Sequence, residues 1–128
     1  MGLSDSPVGA VIAVSDMDRA KEFYEGKLGL SGGEDGPDGG RTYPCAGDTT
    51  IHVYPSPGNA GQSGATLAAW SVADVEGIVD ELTARGVTFE HYGEPFNTDD
   101  KGIARFEGDD AIAWFRDPDG NILAVGSQ

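Results

Sequence analysis

A chain of 128 residues with 38% hydrophobic content fits one domain, and its apolar residues are clustered and periodic, which argues for a folded core. The 22 acids against 8 bases give a net charge of −14, which disfavours nucleic acid or an anionic membrane as partner and attracts cationic or electron-poor small ligands. No apolar run approaches the ~20 residues of a spanning helix and no basic-then-apolar leader opens the chain, so a cytoplasmic location is expected; the single Cys45, without an intrachain partner, agrees with a reducing compartment and reads as a packing residue.

Val8 to Val14 is almost wholly apolar and bounded by Pro7 and Ser15-Asp16, the pattern of a strand. Asp16 is a helix N-cap, and Met17, Ala20, Phe23, Tyr24 and Leu28 then share one helical face until Gly29 stops the helix. Leu30 is expected to start a short strand that runs into the Gly-rich loop 31–40. Arg41 to Ala46 and Thr50 to Tyr54 read as a hairpin around Gly47-Asp48. The uncharged stretch PSPGNAGQSG has no periodicity and reads as a linker.

Thr66 to Val72 is the next strand. Asp74 caps a helix whose Val75, Ile78, Val79 and Leu82 share a face, and Val87 to His91 is expected as a strand. Residues 92–110 read as a long loop carrying a short strand at Ile103 to Phe106; loops 31–40 and 93–110 are expected to rim a pocket. Ala111 to Arg116 and Ile122 to Val125 form a hairpin joined by Asp117-Pro118-Asp119-Gly120-Asn121. The order strand, helix, strand occurs twice, offset by 58 residues from Val14 to Val72 and from Asp16 to Asp74, and by 57 from Gly29 to Gly86. The reading is therefore an α+β domain of two βαβββ modules, 7–55 and 65–128, joined by a linker at 56–64 and too small to bury their cores separately.

Three stretches, VGAVIAVSDMDRAKEFYEGKLGL at 8–30, WSVADVEGIVDELTARGV at 70–87 and WFRDPDGNILAV at 114–125, resemble the vicinal oxygen chelate superfamily of glyoxalase I, bleomycin-resistance proteins and extradiol dioxygenases. The resemblance implies paired βαβββ modules whose sheets form a cupped, barrel-like surface, commonly completed in a homodimer. It also implies four metal-ligand positions in the metal-dependent members; here they carry Gly9, His52, Leu67 and Ala124. A catalytic metal needs three or four N, O or S donors, and Gly, Leu and Ala offer none, so no metal and no other cofactor are expected. Metal-dependent glyoxalase or dioxygenase activity is disfavoured with it.

Strand alternation puts Thr50, His52 and Tyr54 on one face, which makes His52 a candidate acid/base or hydrogen-bonding group. His91 is expected at the surface. Tyr43, Tyr54, Phe96 and Phe115 are candidate aromatic walls for a flat or cationic ligand, and Arg41 and Lys101 candidate anchors for an anionic group. Trp70 shares parity with Ala68 and Val72 and is expected to face the helix, and one of Trp114 and Phe115 should face the cup. Three functions stay open. One is a metal-free binder of small molecules resembling bleomycin-resistance proteins, a homodimer that sequesters a cationic or aromatic compound and confers antibiotic resistance. The others are a metal-independent lyase, isomerase or other enzyme using His52, and a non-catalytic regulatory module.

Overall fold

Alternate residues of the first strand are buried and exposed, so the segment has one face turned to a core and one turned away. The computed structural model describes residues 2–128, and in it that strand is β1 (Gly9–Val14), with Ile12 and Val14 fully buried. The helix α1 (Met17–Lys21) follows, its N-terminus closed by Asp16, whose carboxylate accepts from the amides of Asp18 and Arg19. It continues over Glu22–Lys27 as a wide π-type turn, closed by the Leu28 amide on the Phe23 carbonyl, and both Phe23 and Tyr24 point inward. Then come β2 (Glu34–Asp35), β3 (Arg41–Pro44) and β4 (Thr50–Pro55), and the first sheet has the order β1-β4-β3-β2. The second half repeats the plan with β5 (Thr66–Val72), α2 (Val75–Ala84), β6 (Ile103–Arg105), β7 (Ala111–Arg116) and β8 (Ile122–Ser127), ordered β5-β8-β7-β6. In each sheet the first and last strands of the module run parallel and the remaining pairs are antiparallel.

Two expected strands are corrected. No strand begins at Leu30: its amide bonds to the Tyr24 carbonyl and closes the helix instead of joining a ladder, and the strand forms later, at Glu34–Asp35 inside the expected loop. Val87 to His91 makes only a single bridge, Phe89 to Phe115, with the Glu90 amide on the Trp114 carbonyl. The free edge of β7 is divided. Residues 89–90 cover its C-terminal end and β6 pairs with Ala111, Ile112 and Ala113, so neither segment has room for a long ladder. Between them, Asp99 holds its loop by accepting from the amides of Lys101 and Ile103. The two hairpins and the α2 face of Val75, Ile78, Val79 and Leu82 form as their sequences predict.

The helices of both modules lie over one continuous apolar core. Phe115, fully buried at its centre, has the rings of Phe89, Phe23 and Trp70 at 5.4, 6.3 and 6.4 Å. Trp70 faces the helix side, as its parity requires. Burial of each such ring is worth about 1.5–3 kcal/mol.

A polar cluster joins the modules beside this core. Asp117 and Asn121, 5% and 2% exposed, are the buried polar residues among those described. The Asp117 carboxylate accepts from the Tyr24 hydroxyl at 2.8 Å, from the Asn121 side-chain amide at 2.8 Å, and from the backbone amides of Asp119 and Asn121 at 3.0 and 2.9 Å. The Asn121 side chain also donates to the Ala13 carbonyl of β1 and accepts from the Gly61 amide of the linker. Asp119 accepts from the Ser15 amide and hydroxyl and from Arg19. At Gly61, φ is +68° and an added Cβ would collide with the Asp119 carbonyl oxygen, so the linker rests its backbone directly on the Asp117–Asn121 turn.

Burial, then the neighbouring Asp117 carboxylate, raises the Tyr24 hydroxyl pKa well above its ordinary value. Replacing Tyr24 by Phe should lower stability by about 1.5–3 kcal/mol, the range for a hydrogen bond to a charged group, as read by urea unfolding at neutral pH. Because the folded pKa is raised, the neutral phenol's stabilisation is complete below its unfolded value of about 10 and is lost as pH rises beyond it. The fall in stability above about pH 10 should therefore be shallower in Tyr24→Phe than in the parent chain.

Candidate functional site

Each sheet has one face under the helices and one open face turned away from them. On β4, Ile51 and Val53 enter the core, which leaves Thr50, His52 and Tyr54 on the open face, together with Gly9, Val11 and Ala13 of β1 and Thr42 of β3. Val11, at the middle of β1, is 63% exposed, so nothing among the described residues covers this part of the sheet. On the second sheet the open face carries Ala104, Ile112, Trp114, Ile122 and Ala124.

His52 is held at both ring nitrogens. Nδ1 lies 2.7 Å from the Thr42 hydroxyl, directly across the β3–β4 ladder, and Nε2 lies 2.8 Å from a carboxylate oxygen of Asp38. The other Asp38 oxygen accepts from the Gly40 amide at 2.8 Å. The bond from His52, then that from Gly40, keeps the Asp38 carboxyl below its ordinary pKa, so it is ionised at neutral pH. The imidazole lies parallel to the Tyr54 ring, 11° between planes and 6.2 Å between centroids, and the two stand side by side on the open face of β4. The His52 side chain is 23% exposed and Asp38 about half exposed.

The open face of the second sheet is aromatic. Trp114 meets Phe96 at 4.9 Å and Tyr92 at 5.4 Å, and Tyr92 meets Phe96 at 6.3 Å. These three rings, with Gly64, Ala65, Thr66 and Ile122, bound a hollow of about 380 Å³. Phe96 is 40% exposed, as befits a ring on the rim.

Of the residues the sequence nominates, His52, Tyr54 and Phe96 lie on open faces. Four others do not. Tyr43 is buried on the helix side and donates to Glu25 at 2.7 Å; burial, then that bond, raises its pKa. Phe115 occupies the centre of the main core, so of the adjacent pair it is Trp114 that faces outward. Arg41 shares parity with Tyr43 and pairs with Asp35 at 2.6 Å and Glu25 at 3.1 Å. Lys101 pairs with Asp80 at 3.0 Å and Glu76 at 3.7 Å on α2. In so acidic a chain, neighbouring carboxylates claim both bases, and neither reaches an open face. His91 is exposed, as expected. Asp38 and Thr42 are the residues the structure adds, and of the aromatic residues it brings Tyr92 and Trp114 together with Phe96.

The four positions implied by the resemblance do not fit a metal. A Cβ at Gly9 would meet the Thr50 side-chain oxygen, so a larger residue there requires the Thr50 side chain to turn away. Leu67 lies at an irregularity of β5 between Thr66 and Ala68 and packs against the helix-side core. Ala124 is fully buried in the cluster that holds Trp114 and Tyr92. His52 alone offers a donor, and both its nitrogens are engaged. Among the described residues no group of three His, Cys, Asp or Glu side chains is arranged to hold a metal, and no helix is long and apolar enough to cross a membrane.

Among solved structures, the chain is similar to a glyoxalase/bleomycin resistance protein from Streptomyces sp. CB03234, at 25% identity and a TM-score of 0.65, over 95% of this chain and 100% of that one. It is similar to TnmS3, an antibiotic-binding protein from the same Streptomyces, at 24% identity and a TM-score of 0.65, over 93% and 92% of the two chains. It is also similar to lactoylglutathione lyase from Agrobacterium tumefaciens, at 18% identity and a TM-score of 0.68, over 94% and 91%. The last two likenesses speak for the fold alone. No curated protein matches the chain. The family model for Glyoxalase/Bleomycin resistance protein/Dioxygenase matches residues 8–125, nearly the whole chain, and with two βαβββ modules in its structure the protein belongs to that superfamily.

Proposed function

We propose that the protein is a metal-free binder of a small aromatic or cationic molecule, held on the open sheet faces, in the manner of the drug-sequestering members of its superfamily. The observation that carries this reading is the pairing of two surfaces. One is the parallel His52–Tyr54 pair with the Asp38 carboxylate at its edge, and the other is a hollow walled by Tyr92, Phe96 and Trp114. Aromatic faces attract a flat cation by about 0.5–2 kcal/mol per ring, and a net charge of −14 steers it inward. With this reading goes a role in antibiotic resistance in the cytoplasm.

The binding unit in this reading is a homodimer. The uncovered face of the first sheet, with Val11 exposed on the edge strand β1, needs a cover, and a second copy supplies one without any further partner. Sedimentation at tens of micromolar should give twice the mass of 13.3 kDa, and a monomer would remove this part of the proposal.

A second reading has its own observation. An imidazole fixed at one nitrogen by a carboxylate and at the other by a hydroxyl is oriented for acid/base work, so a metal-independent enzyme acting on a small carbonyl or aromatic metabolite is the alternative. Tight one-to-one binding without turnover separates the first reading from this one.

A thermal-shift panel of cationic glycopeptides, planar amines, phenolic acids and glutathione conjugates should give its hits among the cationic aromatics. These hits should persist in ~0.5 M salt, where diffuse surface attraction is screened. Tyr54→Ala and Phe96→Ala should each weaken the best hit about 3- to 30-fold in calorimetry, and hits confined to anions would overturn the proposal. The close contact at the first metal position has a separate test. Gly9→Ala should lower stability by about 1–3 kcal/mol in urea unfolding, and adding Thr50→Ala should recover part of that loss.

A further inference from the structure

The direction of the hydrogen bonds around His52 fixes more than the orientation of the ring. Asp38 is ionised at neutral pH and can only accept, so Nε2 of His52 carries the proton between them. In the neutral imidazole Nδ1 is then an acceptor, and the Thr42 hydroxyl 2.7 Å away must donate to it. Thr42 has one proton, and the ring takes it. What the Thr42 oxygen has left is lone pairs, and the half-exposed Asp38 carboxylate beside it likewise offers only acceptors. The polar end of the His52–Tyr54 pair therefore presents acceptors and no donor from these two side chains.

We infer that the Asp38–His52–Thr42 chain is a specificity element that selects a hydrogen-bond donor on the ligand, with the Thr42 oxygen as the contacting atom. The inference rests on the ligand-binding reading above and narrows its ligand class to planar aromatics bearing N–H groups, such as primary aryl amines and aryl amidines. A ligand of the same shape and charge that offers only acceptors or methylated nitrogens would leave the Thr42 oxygen buried without a partner, the more costly half of a mismatched hydrogen bond. His52 and Asp38 act through Thr42 and are positioning residues. Within this chain of three, the Thr42 oxygen is the atom that takes the ligand's N–H, while the rings of His52 and Tyr54 supply the stacking surface.

Two phenothiazinium dyes make a matched probe pair. Thionin and methylene blue share one planar, permanently cationic ring system, and methylene blue carries methyl groups in place of thionin's amine hydrogens. The parent protein at about pH 8 should bind thionin roughly tenfold more tightly than methylene blue, as measured by calorimetry. Thr42→Val keeps the β-branched shape and should abolish the preference, and Thr42→Ser should keep it. A preference that reflected only the bulk of the methyl groups would survive Thr42→Val and would overturn the inference. Equal binding of both dyes to the parent protein would also overturn it and leave the ligand-binding reading standing, whereas failure of both dyes to bind would remove both. A readout free of any ligand completes the test. Long-range ¹⁵N–¹H correlation in the free protein should show His52 protonated at Nε2 and bare at Nδ1, and a proton on Nδ1 would overturn the inference whatever the dyes do.

Discussion

The buried Asp117 carboxylate is the point on which the two halves of the molecule depend. Its oxygens accept four hydrogen bonds, from a tyrosine of the first module and from amides of its own turn. A charge taken out of water is strongly unfavourable unless it is fully bonded, and removing one partner leaves the rest exposed to that penalty. The apolar core beside it is less particular: Phe23 against Phe115 would tolerate some sliding. The carboxylate does not tolerate it, so it fixes the register of one module on the other. Asn121 extends the same constraint to β1 and to the linker, and the open faces of the two sheets keep their relation as a result.

Those open faces differ in chemistry although the modules share a plan. The first is polar at its centre, with a histidine whose protons are assigned by its neighbours. The second is closed over with aromatic rings, and Ala124 lies beneath them. In the metal-dependent arrangement implied by the resemblance, equivalent strand positions would point donors at one ion. Here one position carries a glycine packed against the Thr50 hydroxyl, two carry hydrocarbon, and the fourth is built into a hydrogen-bonded chain. The fold is kept, while three of the four positions lack the donors that a metal would need.

Much of this was legible in the sequence because it rests on local rules. The caps at Asp16 and Asp74, the period of Val75, Ile78, Val79 and Leu82, and the two hairpin turns need only near neighbours, and they form as expected. Strand parity placed His52 and Tyr54 correctly for the same reason. It leaves Trp114 and Phe115 as alternatives, and the choice falls to Phe115 for the main core, where it joins Ala111 and Ala113 on the helix side. Thr42 was within reach of the hairpin register. Asp38 was not, since nothing within a glycine-rich loop tells which side chain will fold back onto β4. Arg41 and Lys101 were misread because a base in an acidic chain is claimed by whichever carboxylates folding brings near, and those are set by tertiary packing. The expected strands at Leu30 and at Val87 to His91 failed for a related reason: their amides had better partners outside a ladder.

The bond from Tyr24 to Asp117 spans 93 residues, and its acceptor sits in the last turn of the chain. During synthesis on a ribosome the first module therefore emerges with Phe23 and Tyr24 facing outward, carrying an apolar stripe and a phenol whose partner has not yet been made. Its β strands can pair at once, but its inner surface waits for Phe115, Asp117 and Asn121. Commitment to the native arrangement comes only when the chain has been translated through Asn121, and until then the nascent first module is a surface that a holding chaperone would recognise.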